Sequence, residues 1–330
     1  MSSPMSNLIT ADLHLSENPR DAYRLQFFDR LPKLAQQYQC DTVIILGDLT
    51  EQKDRHGSWL VNRIVDGLVN LSSVVQVDIL CGNHDYLDRE NPFFRFTRNM
   101  KNIDFIDKQT RIGHHLYLPH TRNYKQDWDG LMRDVNSDNG VRLILTHNTF
   151  SGARGANNRP LEGIPLTALP QMDIISGDVH VPQQIENLIY VGSPYSIDFG
   201  DDYEPRVLID DGENEFESVK VGGPRKRVIK VALLKMLGNA KVNKGDIVRV
   251  ELKVQPGQYS KWAETVAAVR SWGEQVEVMV DSVIPIVAGA SQPTTRQYRA
   301  AVSDEQLLKE YANQNKIDDR TLDVGLDLLK

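Results

Sequence analysis

Apolar residues fall into short runs along the first two thirds of the chain, and stretches with helical spacing separate them. Leu8 to Ala11 is the first such run. Residues 20–38, RDAYRLQFFDRLPKLAQQY, set Tyr23, Phe27, Leu31 and Leu34 at helical intervals, and Pro32 is placed to kink or split that helix. Thr42 to Leu46 has the length and branching of a strand. Residues 57–72 predict a helix with Trp59, Leu60, Ile64 and Leu68 on one face, and Val74 to Leu80 predicts another strand. Residues 103–118 read as short strands or a hairpin, and the strand pattern continues at 141–146, 172–176, 187–191 and 207–209. Strands alternating with helices predict a parallel or mixed sheet covered by helices. Gly, Asn and Pro gather between Phe150 and Pro170, which predicts a long loop of functional or mobile character.

The pattern changes near 222–225, at GGPRK. Beyond it, 226–236 and 246–254 read as strands, 260–271 as a helix and 275–281 as an alternating strand, which together make a small α+β module. Residues 285–299 read as an extended linker. Two short amphipathic helices follow, capped by Ser303 and by Asp318 or Asp319. The organisation expected is therefore a main domain over 1–222, a module over 223–284, and a linker with helices over 285–330.

Bulk properties narrow this picture only a little. A chain of 330 residues buries a full core without staples. Its formal net charge of −7 argues against a broadly basic nucleic-acid-coating surface, though it leaves room for a local basic groove. Cys40 and Cys81 flank strands and read as buried free thiols, so a disulfide framework is not expected and a reducing cytoplasm is. There is no signal-peptide pattern and no apolar run long enough for a membrane span.

The candidate chemistry sits where apolar runs end. LITADLH delivers Asp12 and His14, and VIILGDLTE delivers Asp48. VDILCGNHDY delivers Asn83, His84 and Asp85, LILTHN delivers His147, and IISGDVH delivers Asp178 and His180. Ligand sites of α/β sheets lie beyond the carboxyl ends of strands, so five strand ends can converge on one place. Gly47, Gly82 and Gly177 permit a sharp turn or a close approach there. Carboxylate, amide and imidazole donors without a thiolate suit manganese, iron or zinc in a reactive site better than a structural zinc. A carboxylate such as Asp48 can bridge two ions. Each motif alone has an ordinary reading as a turn or a surface histidine; the series of five carries the signal.

That series, in that order, resembles the calcineurin-like metallophosphoesterases. The resemblance implies a four-layer αββα sandwich with a dinuclear metal centre. It implies that Asp12, His14, Asp48 and His180 hold one ion, and that Asp48, Asn83 and His147 hold the other. It makes His84 the catalytic histidine, with Asp85 orienting it. The last motif departs from the family, which has Gly-His-x-His where this chain has Gly177-Asp178-Val179-His180. A carboxylate also coordinates manganese or magnesium, so Asp178 is expected to bind the second ion and to favour harder metals. The Gly-Asp-x-Val-Asp-Arg-Gly motif of the protein Ser/Thr phosphatases is missing at Gly47, which counts against that activity.

Downstream, GSPYSIDFGDD at 192–202 resembles the nuclease subunits of double-strand-break repair, the SbcD and meiotic recombination eleven type, in a bacterial or bacteriophage version. This implies a manganese-dependent DNA exonuclease and endonuclease, with magnesium as the alternative metal. It also implies a DNA-contacting capping module, C-terminal helices that dock on the coiled coil of an ABC-type ATPase subunit, and a homodimer acting on double-stranded DNA ends in the cytoplasm. The stripe Leu307, Leu308 and Tyr311 is the expected docking surface. The rival is a stand-alone enzyme for small phosphate esters, which explains the motifs equally well but not the appended module. A second rival is a non-enzymatic DNA-end-binding scaffold for the ATPase, its second metal site impaired by Asp178. The histidines of the 114–128 stretch, Arg154, Arg159 and the run Arg225, Lys226 and Arg227 are lesser candidates for contact with the substrate.

Overall fold

The computed structural model describes residues 6–123, 140–168, 170–213, 215–254 and 261–287. The expected C-terminal helices, with Ser303, Leu307, Leu308, Tyr311, Asp318 and Asp319, lie outside that set. Two six-stranded sheets form the body of the chain. In the first, β1 (Asn7–Ala11), β2 (Thr42–Leu46), β3 (Gln76–Leu80) and β4 (Ile103–Ile106) run parallel in that order. The second holds β5 (Thr110–Ile112), β6 (His115–Leu118), β7 (Leu143–Thr146), β8 (Asp173–Ser176), β9 (Gln183–Ile185) and β10 (Leu188–Tyr190), in the order β5-β6-β7-β8-β10-β9. Its central strands β6, β7, β8 and β10 are parallel. Two further strands, β11 (Arg206–Asp210) and β12 (Phe216–Lys220), close the far edge of the first sheet in antiparallel fashion.

The strands of the middle layers are apolar on both faces because both faces are covered. Ile9, Ile44, Leu46 and Leu80 meet Tyr117, Leu143, Leu145 and Ile175 between the sheets. Leu8, Val43, Ile45 and Val77 turn the other way, towards Phe28, Leu31, Ile64 and Leu68. Those last four come from α1 (Ala22–Phe28), α2 (Leu31–Gln37) and α3 (Ser58–Ser72). The helix predicted over 20–38 is split as expected: Pro32 sits in the first turn of α2, where its missing N–H costs nothing. Trp59 departs from expectation. It is 57% exposed, whereas Leu60, Ile64 and Leu68 recur every four residues and define the buried stripe. On the outer face of the second sheet, Phe150, Ala153 and Ile164 of the Gly-rich segment pack on Ile144, Ile174 and Tyr190, so this loop is a structural cover.

A three-stranded sheet follows, β13 (Lys226–Val231), β14 (Ile247–Val254) and β15 (Met279–Val287), with α4 (Trp262–Gln275). Two boundaries differ from expectation. The strand read over 226–236 ends at Val231, and Leu234–Asn239 is a 3-10 helix. The strand read from 275 begins at Met279, because α4 runs through Gln275 and Glu277 turns at φ +55°. Residues Met1–Leu252 and Ser260–Ile284 form one compact unit; Lys253–Tyr259 and Pro285–Lys330 form another, most of it beyond the described residues. Cys40 and Cys81 are free thiols, half-buried and buried. Among the described residues no helix is long and apolar enough to cross a membrane.

Candidate metal centre

Parallel register places the ends of β1, β2 and β3 side by side, with Ala11 opposite Leu46 and Leu46 opposite Leu80. In the facing sheet Thr146 lies opposite Ser176. The residues that follow each strand therefore meet at one rim. The backbone there is unusual. Asp12, His14, Asp48 and Asp178 all take left-handed φ values, of 54°, 42°, 53° and 72°. Non-glycine residues in that region cost of order 1–3 kcal/mol each and cluster at functional sites.

Neighbouring groups hold these loops in place. Ser193 Oγ donates to Asp12 O at 3.0 Å, Tyr195 Oη donates to Leu13 O, and Arg24 Nη1 donates to His14 O at 2.6 Å. Three successive carbonyls of the first loop are thus anchored, two of them by GSPY. The three glycines explain the close approach of the other loops. A Cβ on Gly47 would stand 2.2 Å from His147 Nδ1, one on Gly82 2.4 Å from Asp48 Oδ1, and one on Gly177 2.3 Å from Leu46 O.

Six of the side chains converge. Asp12, His14 and His180 can place one ligand atom each about a common point; so can Asp12, Asp48 and His147, and so can His14, Asp48 and His84. Asp48 stands between the clusters. Its Oδ2 is 3.4 Å from His14 Nε2, and its Oδ1 is 3.3 Å from His147 Nε2. His14 Nε2 and His180 Nε2 face each other at 3.2 Å. Leu46 O lies 2.7 Å from His147 Nδ1, which assigns the ring proton to Nδ1 and leaves Nε2 as a lone pair. Asp12 Oδ2, Asn83 Oδ1 and His147 Nε2 are buried with no hydrogen-bond partner. Orphaned buried acceptors of this kind are expensive unless something electropositive joins them, so the donor set fits divalent cations.

The same packing shifts the ionisation of these groups, and a second proton on His147 would compete with a metal for Nε2. Burial, with Asp48 and Asp178 nearby, pushes the Asp12 carboxyl up to about 7. Burial and the neighbouring His14 ring hold His180 neutral, down to about 3. Burial would lower His147, but the carboxylates of Asp48, Asp12 and Asp178 outweigh it and the pKa rises. The same burial would raise Asp48, but His147, His14 and His84 draw it well below the usual carboxylate range.

Asp178 stands beside Asn83 and His147, on the side expected for a second ion. Its Oδ1 accepts from Asn83 Nδ2 at 2.9 Å and lies 3.7 Å from His147 Nε2; its Oδ2 accepts from Thr149 Oγ1 at 2.5 Å. The bond to Asp178 occupies the Asn83 amide nitrogen and leaves Asn83 Oδ1 without a hydrogen-bond partner.

One assignment needs correction. Asp85 does not orient the His84 ring. Its carboxylate accepts backbone N–H groups of Gly82, Asp48 and Leu49, at 2.7, 2.9 and 3.0 Å, and so clamps the second loop to the third. The partner of His84 Nδ1 is the carbonyl of Glu51, at 2.7 Å. Of the three histidines in the 114–128 stretch, only His120 is near the site, with Nδ1 3.1 Å from His147 O. His114 and His115 lie at the opposite end of β6, where His115 Nε2 is 3.5 Å from Asp210. The run Arg225, Lys226 and Arg227 is engaged internally, by Glu204, Asp21 and Asp246. Glu51, Arg24, Thr149, Ser193 and Tyr195 support the site without having been singled out for it. Glu51 carries a sequence signal, a carboxylate three residues after Asp48, and Ser193 and Tyr195 lie in the GSPY run.

A family model described as calcineurin-like phosphoesterase matches residues 5–182. The match spans more than half of the chain, and the protein belongs to that family, whose members are hydrolases using two divalent metal ions. None of the curated proteins compared with the chain matches it. Solved structures similar to it include GAP50, the anchor in the inner membrane complex of Plasmodium, at 10% identity and a TM-score of 0.43, over 67% of this chain and 90% of that one. A dimetal phosphatase from Danio rerio is similar at 12% identity and a TM-score of 0.41, over 67% of this chain and all of that one. The nuclease MPE of Pseudomonas putida is similar at 14% identity and a TM-score of 0.33, over 64% and 87%.

Proposed function

We propose that the protein is a metal-dependent DNA phosphodiesterase, an exonuclease and endonuclease subunit that works with an ABC-type ATPase in repair or recombination. The observation that carries the hydrolytic part is the Asp48 carboxylate set between His14 and His147, with Asp12 Oδ2, Asn83 Oδ1 and His147 Nε2 buried beside it without hydrogen-bond partners. Asp12, His14, Asp48 and His180 would hold one ion, and Asp48, Asn83, His147 and Asp178 the other. Ions held there, manganese first and magnesium as the alternative, would neutralise phosphate charge and lower the pKa of a bound water to make the nucleophile. The absence of a thiolate and the extra carboxylate of Asp178 support a harder metal than zinc.

The protein's own groups do the rest. His84 donates through Nδ1 to Glu51 O, which fixes the ring and leaves Nε2 for the substrate. With a second proton on Nε2, the imidazolium would donate from that nitrogen to the departing oxygen, help that is worth about 10²–10⁴-fold. Asp85 acts as a positioning residue by fixing the loops that carry Asp48 and His84. DNA as the substrate is supported by the GSPYSIDFGDD run, whose Ser193 and Tyr195 brace the Asp12 loop, and by the α+β module after residue 222. The ATPase and the homodimer rest on the sequence resemblance.

The test is manganese-dependent cleavage of end-labelled double-stranded DNA. Asp48→Asn and His84→Gln run beside the wild type, and bis-p-nitrophenyl phosphate serves as a second substrate. Cleavage of DNA by the wild type and its loss in both variants is the expected result. Turnover of the small ester with DNA untouched would replace this reading with the small-ester enzyme.

A further inference from the structure

A line of charged side chains leaves the rim of the site and ends in a different sheet. His14 Nδ1 lies 3.4 Å from Glu51 Oε2, and the same oxygen accepts from Arg24 Nη1 at 3.1 Å. Arg24 Nη2 lies 3.2 Å from Asp21 Oδ1, and Lys226 Nζ of β13 lies 3.4 Å from that oxygen. Lys226 also donates to Ile197 O at 2.9 Å. The line is mostly dry: side-chain exposure is 4% at His14, 3% at Arg24, 10% at Asp21 and 14% at Lys226, and only Glu51, at 44%, opens to solvent.

Each link has a physical purpose. Coordination through His14 Nε2 requires the ring proton on Nδ1, and a carboxylate facing Nδ1 selects that tautomer and makes the ring a better donor. Glu51 is the carboxylate nearest His14 Nδ1, at ion-pair rather than hydrogen-bond geometry. A guanidinium as deeply buried as Arg24 must keep counter-charges on both sides, and Glu51 and Asp21 supply them. Asp21 in turn divides one oxygen between Arg24 and Lys226. Loss of the Lys226 charge would leave Asp21 to draw Arg24 away from Glu51.

We propose that Glu51 and Arg24 are positioning residues for His14, and that Asp21 and Lys226 extend their support to β13, so that the seating of the three-stranded module sets the cation affinity of the His14 side of the site. This rests on the assignment of His14 as a metal ligand. It gives the charged run after GGP a use other than substrate contact.

Calorimetric titration of Mn²⁺ into the chelator-stripped full chain tests it. The wild type should bind two ions. Glu51→Gln should weaken one of them by about tenfold or more. Glu51→Asp keeps the charge but shortens the reach, and should weaken the same ion; unchanged affinity there would mean bulk charge rather than positioning, and would overturn the proposal. Lys226→Met should weaken that ion by about threefold. Combined with Glu51→Gln it should add nothing, because the line is already cut. An unchanged Lys226→Met, or a fully additive double variant, overturns the link to β13. A wild type that binds no Mn²⁺ removes the ligand assignment itself and this inference with it, an outcome distinct from two normal sites indifferent to Glu51.

Discussion

Asp178 occupies the position where the family carries a histidine, and both of its oxygens are engaged by Asn83 and Thr149. It fixes the amide of Asn83, and as a proposed ligand it would also supply an oxygen to the second ion. Asp178→Ala removes both contributions and should lower manganese affinity by about 10–100-fold. Asp178→Asn keeps an acceptor for Thr149 and gives up the charge, so it should lose less. Calorimetric titration distinguishes them, and wild-type affinity in Asp178→Ala would show that the carboxylate contributes nothing to binding. At the same scale, Asp48→Asn should cost the most metal of any single change, because one carboxylate faces His14 and His147 together. Inductively coupled plasma mass spectrometry of the purified protein should find it depleted in both ions.

The site is built by loops rather than by regular elements, and glycine sets how near those loops come. Gly47 follows β2 at φ +78°, and a methyl group there would collide with His147 Nδ1 and with Gly82 Cα. Gly47→Ala combines backbone strain with overpacking, each worth roughly 1–3 kcal/mol. The expected outcome is a loss of at least about 2 kcal/mol in urea unfolding, with metal affinity falling in parallel as His147 is displaced. Unfolding at the wild-type midpoint would mean that the loops part easily. The predicted elements that failed did so for local reasons. By periodicity alone Trp59 shares a face with Leu60, Ile64 and Leu68, yet the four-residue repeat of those three leaves it outside. The strand expected from residue 275 starts at Met279 because α4 and the left-handed Glu277 consume its alternating beginning.

Across the whole molecule, the two sheets are pinned at the end away from the metal centre. Asp210 on β11 accepts from Arg142 at 2.8 Å and from Asn7 at 2.9 Å, and His115 lies 3.5 Å away. Burial would raise this carboxyl, but His115, Arg142 and Asn7 outweigh it and bring it from 3.8 to about 2. A folded-state pKa below the unfolded one stabilises above about pH 4, and that contribution is lost as pH falls through 2. The shift corresponds to about 2 kcal/mol. Asp210→Asn should be less stable than the wild type at pH 6, since its charge pair with Arg142 is lost, and the gap should narrow as the wild type approaches pH 2. Paired urea titrations across that range check it; a constant gap would mean that Asp210 does not titrate with folding.

Much of this protein was legible in one dimension because its signals are local. Strand runs such as Thr42–Leu46 declare themselves by branching and length, and the parallel order of strands carries their polar endings to one rim. The candidate donors Asp12, His14, Asp48, Asn83, His147, Asp178 and His180 could therefore be named from the positions where apolar runs stop. What tertiary structure alone decided is how those donors are held. Asp85 reads as a partner of its neighbour His84, yet its carboxylate belongs to backbone groups of Asp48, Leu49 and Gly82. Glu51, Arg24, Asp21 and Lys226 meet only when the chain is folded, since a hydrogen bond or an ion pair is fixed by distance in space and leaves no period in the sequence.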